Sequence, residues 1–429
     1  MSTIDNNQTP GIIQAGDVEF HKLELIDTKD SNKRYNLLGS FVDFTLYEDL
    51  FSPILSGYVA IVETQNLLSL LPVTGEEMLY AEFNTPTMVK ISGVFHITKV
   101  GIRDHQDHKN MYTLEFISYD GYIDINTRLS MAFSGNTGDI IKNTYKKNFG
   151  KQLLDADKSG NSIKFVSPYW GPMKIINHAT CRATYPSNKI TIPNYLFYQT
   201  NKGHKFKSLS NLLLQKPKTE YFFDKNPARL TTPDGSSTRD IDREYKSIKE
   251  LTFVASQDYI KNMMNGAYNH IVFTENLFDR GVTIKTYSFT DSFNSTDHTD
   301  KNPLTVLPTT KSAGLYSIHH TYPNLFNGVI DISADILAKR ISLLAQLETW
   351  KIDIVVNGRS DLEVGDTINV MLPIAKVADQ SDIHTTDTVD PIYSGKYLIT
   401  AIQHRFTMAK YQQNIQCIKD SSFTKIKVS

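Results

Sequence analysis

Apolar and polar residues alternate along two widely separated stretches of the chain, residues 18–122 and 331–420. In the first stretch the alternation is clearest in five runs, at residues 42–46, 58–62, 78–80, 95–99 and 112–116. A period of two is typical of half-buried antiparallel strands. We expect five or more such strands to curl into a small barrel or sandwich, because antiparallel sheets dispose of their open edges in this way.

The same strand pattern is written twice, about three hundred residues apart. Residues 93–100 read GVFHITKV and residues 395–402 read GKYLITAI, so that Ile97 matches Ile399. The match continues in both directions, with 75–80 matching 365–370 and 112–117 matching 413–418. Three strands in one order imply a β-module built twice, and the wide separation excludes a solenoid. A chain with two like modules can stand in for two subunits of a symmetric assembly.

The two copies differ in their connections. The second copy lacks a counterpart of the 42–46 strand directly upstream, and a strand predicted at 248–253 can fill that place, which would make the module discontinuous. The second copy also carries a polar loop at 373–394. The first copy instead holds four leucines between two strands, which either plug the barrel end or form an exposed contact patch. These are Leu67, Leu68, Leu70 and Leu71.

A mixed region lies between the modules. Its pattern predicts helices at 139–149 (capped by Asn136 or Thr137) and 171–182, and a helix ending near 265. A further helix predicted at 333–347 leads into the strands of the second module. Hairpins are predicted at 195–207 and 270–289, and loops at 226–242 and 290–302, the second of them mobile. The sequence therefore divides into a flexible arm at 1–17, a first module at 18–122, a middle region at 123–243, a contribution to the second module at 244–265, more middle region at 266–330, the second module at 331–420 and a tail at 421–429.

Composition bounds the kind of protein. At 429 residues the chain is too long for one hydrophobic core, and 40% apolar residues are ample to fill several. The formal net charge of −1 excludes a uniformly basic nucleic-acid binder. Two distant cysteines, Cys181 and Cys417, argue for folding in a reducing cytosol. Neither a signal peptide nor an apolar run long enough for a membrane anchor is expected.

Charge is unevenly distributed. Residues 36–88 hold seven acids and no Lys or Arg, whereas residues 142–207 hold twelve basic residues against two acids. Such blocks suit complementary contact faces, or a lumen with one sign of field, and ordinary solvated surface is the alternative. The basic segment interleaves Lys202, Lys205 and Lys207 with aromatic residues, as a nucleic-acid groove would require. Its strand aromatics Tyr195, Phe197 and Tyr198 are alternatively core residues.

The sequence contains no fingerprint of catalysis. It lacks a nucleophile elbow, a P-loop, a dinucleotide-binding glycine motif and HExxH, so we expect no enzyme activity and no cofactor. His105 and His108 form a close pair that could bind a metal, but no third ligand has a clear spacing, and solvent-facing histidines are the alternative. A carboxylate pair of a cell-wall hydrolase cannot be selected from sequence, since only spatial separation identifies one.

Several stretches resemble the baseplate central hub protein of contractile-tailed bacteriophages, a family related to the N-terminal part of type VI secretion spike proteins. They are residues 46–61, residues 170–177 with Arg182 and Ala183, residues 195–203 and residues 362–370. The resemblance rests on their order and on the duplicated module, and it spans about 18–420.

The resemblance implies a fold that is mainly β with an α+β middle, in which two similar tube-type antiparallel β-barrel domains flank a mixed region. It also implies a homotrimer in the virion tail baseplate, made in the host cytoplasm, that joins the sixfold tail tube or its initiator ring to the threefold central spike and contacts other baseplate proteins. Genomic DNA would pass transiently through its channel. Glu76, Glu77 and Glu82 would then be channel-lining acids.

Overall fold

We describe the protein from a computed structural model. The described residues are 15–27, 33–64, 67–70, 73–85, 90–106, 108–185, 194–223, 230–231, 237–238, 241–255, 258–276, 280–293, 298–303, 315–321, 334–347, 349–373, 389–408 and 410–424. Most of the predicted arm at 1–17 and most of the predicted loops at 226–242 and 373–394 lie outside this part of the chain.

The first module is an antiparallel sheet wrapped around an aromatic core. Its elements are β1 (Glu19–Ile26), β2 (Arg34–Asn36), β3 (Phe41–Asp49), β4 (Ser56–Glu63), α1 (Leu67–Leu70), β5 (Met78–Asn84), β6 (Ile91–Gln106) and β7 (Lys109–Ser118). The strand order is β2-β1-β5-β6-β7-β4-β3. Every second residue points inward, and Phe44, Phe83 and Phe116 meet in the core. The five predicted strands are confirmed, because period-two alternation buries one face of each.

As far as the structure describes it, the middle region contains four helices, a hairpin formed by residues 195–208 and a two-stranded sheet formed by residues 129–136 and 162–170. Its elements are α2 (Tyr119–Asn126), β8 (Leu129–Asn136), α3 (Thr137–Phe149), β9 (Asp155–Ala156), β10 (Ser162–Trp170), α4 (Pro172–Thr180), β11 (Tyr195–Thr200), β12 (Gly203–Ser208) and α5 (Leu209–Leu214). The predicted caps are confirmed: the Asn136 side chain accepts a hydrogen bond from the Gly138 amide, and Pro172 opens α4.

The second module draws strands from both sides of a long insertion. Its first part consists of β13 (Glu220–Phe223), β14 (Leu230–Thr231), β15 (Ser237–Thr238), α6 (Ile241–Lys246) and β16 (Ser247–Ala255). Its last part consists of β21 (Trp350–Asn357), β22 (Thr367–Met371), β23 (Gly395–Thr407), β24 (Tyr411–Lys419) and β25 (Ser421–Ser422). The six strands β23-β22-β13-β16-β21-β24 close into a barrel through the pairing of β24 with β23. The strand expected at 248–253 is β16, and it pairs with β21.

The insertion contributes α7 (Tyr259–Met264), β17 (Asn269–Asn276), β18 (Val282–Ser288), α8 (Phe289–Ser292), β19 (Asn302–Pro303), β20 (Leu315–Thr321) and α9 (Ala334–Leu347). β17 lies between β18 and β20, and Val272 of β17 packs against Ala338 of α9. The prediction of a mobile loop at 290–302 is wrong at its start, which belongs to α8, and at its last residues. Thr299 donates from its amide to the buried Asp420 carboxylate, and β19 pairs with the buried two-residue strand β25.

The two modules share one strand order. From β1 onward, the strand order of the first module is β1-β5-β6-β7-β4-β3, and that of the second is β13-β22-β23-β24-β21-β16. The strands that the repeat equates occupy the same places in both orders. The register of both modules also shifts at the same place, between Ile97 and Lys99 in one and between Ile399 and Ala401 in the other. The predicted fold class, with two similar barrel-type modules around a mixed middle, is confirmed.

A single threonine hydrogen bond reproduces the equivalence at atomic detail. The Thr98 hydroxyl donates to the Glu115 carbonyl at 3.2 Å, and the Thr400 hydroxyl donates to the Gln416 carbonyl at 3.2 Å. The repeat equates each of these pairs, because residue 98 corresponds to 400 and residue 115 to 416. A bulge is a local feature that families retain, so its recurrence supports duplication of one module.

Candidate functional site: the junction of the two modules

The two modules are joined edge to edge. β3 pairs antiparallel with β23, from Asp43 opposite Thr407 to Asp49 opposite Ala401. The first module and the barrel thereby belong to one sheet of thirteen strands. Ladder hydrogen bonds along this pairing fix the orientation of one module on the other, which a flexible tether would not do.

Glu48 lies buried at the centre of this junction. It occupies the core-facing register of β3, after Phe44 and Leu46, and is 1% exposed. Its carboxylate accepts hydrogen bonds from the Asn201 amide at 2.7 Å and from the Val364 amide at 3.2 Å. One acid of the first module therefore binds both the middle region and the second module. Charge-assisted bonds of this kind are among the stronger ones in proteins.

The rim of the junction carries an ion pair. The Arg405 guanidinium of β23 donates through Nε to Asp43 Oδ2 of β3 at 2.6 Å. This bond to Asp43 raises the pKa of Arg405 above its ordinary value. The Arg405 side chain is half exposed, so the pair contributes orientation more than stability.

The basic hairpin β11–β12 is docked by its lysines onto acids of the fold. Lys202 and Lys205 both reach Glu363 Oε1 of the second module, at 3.2 and 2.9 Å. Burial alone would raise the pKa of Glu363, but the two ammonium groups hold it below its ordinary value. Lys207 binds Asp155 at 2.8 Å and Asp157 at 3.0 Å. These contacts speak against a phosphate-binding groove here, because each of the three ammonium groups has an acid partner.

The aromatic residues of the same hairpin are core residues. Tyr195 and Phe197 pack in the core of the middle region, and Tyr198 packs in the core of the second module. The interpretation of these strand aromatics as core, rather than as stacking platforms, is confirmed. Within this hairpin, the lysines and the aromatic residues that suggested a nucleic-acid groove are therefore engaged in contacts of the fold.

A second buried contact holds the hairpin against the first module. Gln199 Oε1 accepts from the Leu55 amide at 3.0 Å and from the Ser118 hydroxyl at 2.7 Å. His204 Nε2 lies 2.7 Å from the Pro53 carbonyl, and its Nδ1 lies 2.9 Å from the Tyr145 hydroxyl. Burial lowers the pKa of His204 to about 4, so the neutral ring donates through Nε2 and accepts through Nδ1. Since both ring nitrogens are occupied, His204 positions the hairpin.

The three acids named as channel-lining residues have different surroundings. Glu76 is exposed. Glu77 is buried, and its carboxylate accepts from the amides of Thr74 and Gly75, both at 3.0 Å, thereby closing the turn before β5. Glu82 accepts from Lys90 Nζ at 2.8 Å and from the Tyr80 hydroxyl at 2.5 Å. The bonds from Lys90 and Tyr80 lower the pKa of Glu82.

The leucine segment is partly described. Leu67 and Leu68 are half-buried and pack against the core of the first module, and the buried Glu63 carboxylate accepts from the Leu67 amide at 2.8 Å. The side chain of Leu70, and Leu71 as a whole, lie outside the described residues. Leu67 and Leu68 thus pack against the first module, and the contact patch stays a prediction.

The histidine pair sits at the tip of the hairpin between β6 and β7. His105 Nδ1 lies 2.9 Å from Asn110 Oδ1, and both His105 and His108 are exposed. In the part of the chain that the structure describes, no group of three His, Cys, Asp or Glu side chains is placed to hold a metal ion. Nor does any helix among those residues combine the length and apolarity that crossing a membrane requires.

A groove follows the outer face of the joined sheet. It has a volume of about 300 Å³ and is lined from both modules, with Tyr47 and Asp49 on one side and Asp353, Gln403 and Gln416 on the other. Among the described residues that line it, none is Lys or Arg. Sequence reasoning missed this groove and the role of Glu48. An acid in the core-facing register of a strand was the available signal for Glu48.

Two solved structures share this architecture over nearly the whole chain. The 43 kDa tail protein of prophage MuSo2 from Shewanella oneidensis aligns with a TM-score of 0.53 at 10% identity, covering 93% of this chain and 98% of that one. The chain has the fold of phage tail proteins. A tail protein from Neisseria meningitidis MC58 aligns with a TM-score of 0.51 at 10% identity, over 93% and 96% of the two chains. No protein-family model and no curated protein matches the sequence.

Within this fold, the joined sheet connects the two modules directly. Two like modules are fixed edge to edge by β3 and β23, while the middle region is clamped to both by Glu48, Gln199 and the lysines of the hairpin. The three regions are thereby held together by backbone pairing and by buried side-chain contacts.

Proposed function

We propose that this protein is a trimeric baseplate hub that joins a sixfold tail tube to a threefold central spike in a contractile phage tail. The observation that carries the proposal is the pair of modules with one strand order, one bulge and one connecting ladder. Three such chains present six similar modules, so one end of the ring can follow sixfold symmetry while the rest follows threefold symmetry.

The differences between the copies suit this role. In a ring of alternating modules, the cores must be alike for the ring to close, whereas the connections face different neighbours. The cores share the bulge at Thr98 and Thr400, while β13 of the barrel pairs in parallel with β22, where its counterpart β1 pairs antiparallel with β5. We expect the tail tube protein, the spike and other baseplate proteins to be partners of the diverged connections.

We further propose that the ring encloses a channel for the passing genome. Glu76, Glu77 and Glu82 stay candidates for its wall, although the buried Glu77 carboxylate is bound to backbone amides. The groove at the module junction adds Asp49 and Asp353 as candidates, since it carries acids and no basic side chain. Such a surface would repel the phosphate backbone and let DNA slide.

Sedimentation equilibrium of the purified chain, with and without the spike protein, tests the proposal. We expect a species of three times the 48.6 kDa chain mass, and electron microscopy of it should show a ring with six similar outer densities. A chain that stays monomeric at high concentration and also with the spike protein present would contradict the hub assignment. A matched sample of Glu48→Ala should lose the ring, because the two modules then lose a shared anchor.

A further inference from the structure

Among the described strands, two further edges correspond to the pair of edges that joins the modules. β23 has β24 along one edge, and along its other edge it carries β22 at residues 395–398 and β3 at residues 401–407. Two different strands thus share this second edge. The strand from the other module occupies the part beyond the bulge.

β6 is the counterpart of β23 in the first module. It has β7 along one edge, at residues 95–106, and β5 along the other, at residues 91–96. Beyond the bulge, at residues 99–106, no strand in the described part of the chain lies beside that second edge. This is the same stretch at which β23 carries β3.

β16 is the counterpart of β3. It has β21 along one edge, and β13 covers only Ser247 and Ile248 of the other. Among the described strands, none lies beside residues 249–255 on that edge. Phe253 and Val254 are about half exposed there, at 47% and 49%. Natural proteins seldom leave an apolar strand edge open, because it pairs readily with other chains.

We propose that β16 of one chain pairs antiparallel with β6 of a second copy of this chain, reproducing between chains the ladder that β3 and β23 form within one. The contact is head-to-tail: one edge of a chain meets a different edge of the next. When each chain makes this contact with the next, the joined sheets close into a ring. That three copies close it rests on the proposed hub function, whereas the strand pairing rests on the two open edges.

The equivalence also fixes the register. Arg405 lies opposite Thr45 in the ladder within the chain. β6 has a second register shift, between Val100 and Arg103, which β23 lacks, so the match beyond it moves by one residue. Asp104 therefore takes the place of Arg405, since it lies opposite Met111 as Arg405 lies opposite Gln412. Thr252 takes the place of Thr45, since it lies opposite Asp353 as Thr45 lies opposite Tyr58. The predicted pair between chains is therefore Asp104 opposite Thr252.

Disulfide trapping tests this register. Directly opposed residues have Cα atoms about 4.5–5.5 Å apart, within the range of a disulfide. Asp104→Cys and Thr252→Cys are introduced singly and together in a Cys181→Ser background, which leaves only the buried Cys417. After mild oxidation we expect a covalent dimer from the mixed single variants, a covalent trimer from the double variant, and no cross-link from either single variant alone.

A control of matched chemistry is Asp104→Cys with Glu250→Cys. Glu250 lies two residues along the same strand, so its Cα should be about 7–8 Å from that of residue 104, which is beyond easy disulfide reach. We expect at least a tenfold slower cross-link for this control. Peptide mapping of the linked product identifies the bond directly.

The outcomes separate the two proposals. The protein could form a trimer in solution while cysteines at 104 and 252 do not cross-link, or cross-link no faster than the control. That result would overturn the proposed strand pairing but would not contradict the proposed hub function. A monomer that yields no cross-link at high concentration would overturn both. Amide hydrogen exchange on the unaltered protein gives a second measurement: residues 99–106 and 249–255 should be protected in the assembly and exchange faster after dilution to monomer.

Discussion

Glu48 is the residue at which one substitution should loosen three parts of the molecule at once. Its carboxylate is buried and accepts from the amides of Asn201 and Val364, which belong to the middle region and the second module. A buried amide left without an acceptor costs about 1–3 kcal/mol. Glu48→Ala removes both acceptors and should lower the free energy of unfolding by about 2–6 kcal/mol, whereas Glu48→Gln keeps one carbonyl oxygen and should cost about half of that.

The assay is urea unfolding followed by tryptophan fluorescence. Trp350 lies in the barrel and Trp170 in the middle region, so the signal reports on two of the regions that Glu48 connects. The matched control is Glu115→Gln, which removes the exposed ion pair with Lys99 and should change the free energy by about 0–1 kcal/mol. If Glu48→Ala unfolds with the same midpoint and slope as this control, the view of Glu48 as the shared anchor is refuted.

Three further predictions follow from equivalent or buried positions. Gly75→Ala and Gly365→Ala both place a side chain at positive φ, +92° and +87°. At 75 the nearest atoms to the new Cβ lie 4.0 Å away, whereas at 365 the Tyr198 hydroxyl would lie only 2.6 Å away. Gly365→Ala should therefore lower the melting temperature more than Gly75→Ala, and equal shifts would contradict this. Burial alone would raise the pKa of Asp420, but His298 and Thr299 lower it to about 2, so its stabilising contribution is complete above about pH 4 and is lost as pH falls through 2. Asp420→Asn should lack this part of the acid unfolding curve, and an unchanged curve in thermal scans from pH 5 to 2 would count against the buried pair. Lys205→Ala should destabilise the fold through Glu363, and DNA affinity in filter binding should stay as in Lys109→Ala, an exposed basic residue outside the hairpin.

Much of the fold is visible in the sequence because it is local. Alternation at 42–46 and 58–62 predicts β3 and β4, since one face of each strand is buried. The matching glycines at 75 and 365 predict the same turn, because glycine adopts positive φ without a steric penalty. In the structure both glycines have positive φ. The repeat itself predicts the shared strand order, since equal side-chain patterns fill equal cores.

What the sequence does not reveal depends on partners far along the chain. β13 has only four residues and pairs in parallel with β16 and β22, so it has neither the length nor the alternation that marks a strand. The basic block at 142–207 suggested a phosphate surface because its acid partner Glu363 is more than 150 residues away. Residues 298–303 look like a loop until Asp420 is brought beside them.

The order in which the strands are synthesised has a consequence for folding in the cell. β3 leaves the ribosome roughly 350 residues before β23. At about 5–20 residues per second, its outer edge waits roughly 20–70 s for its partner. During that interval the nascent chain exposes a complete strand edge to chaperones and to neighbouring nascent chains. Premature termination between β16 and β21 should therefore yield an aggregating fragment. Because β3 must wait for β23, we also expect the full chain to fold slowly and to need chaperones.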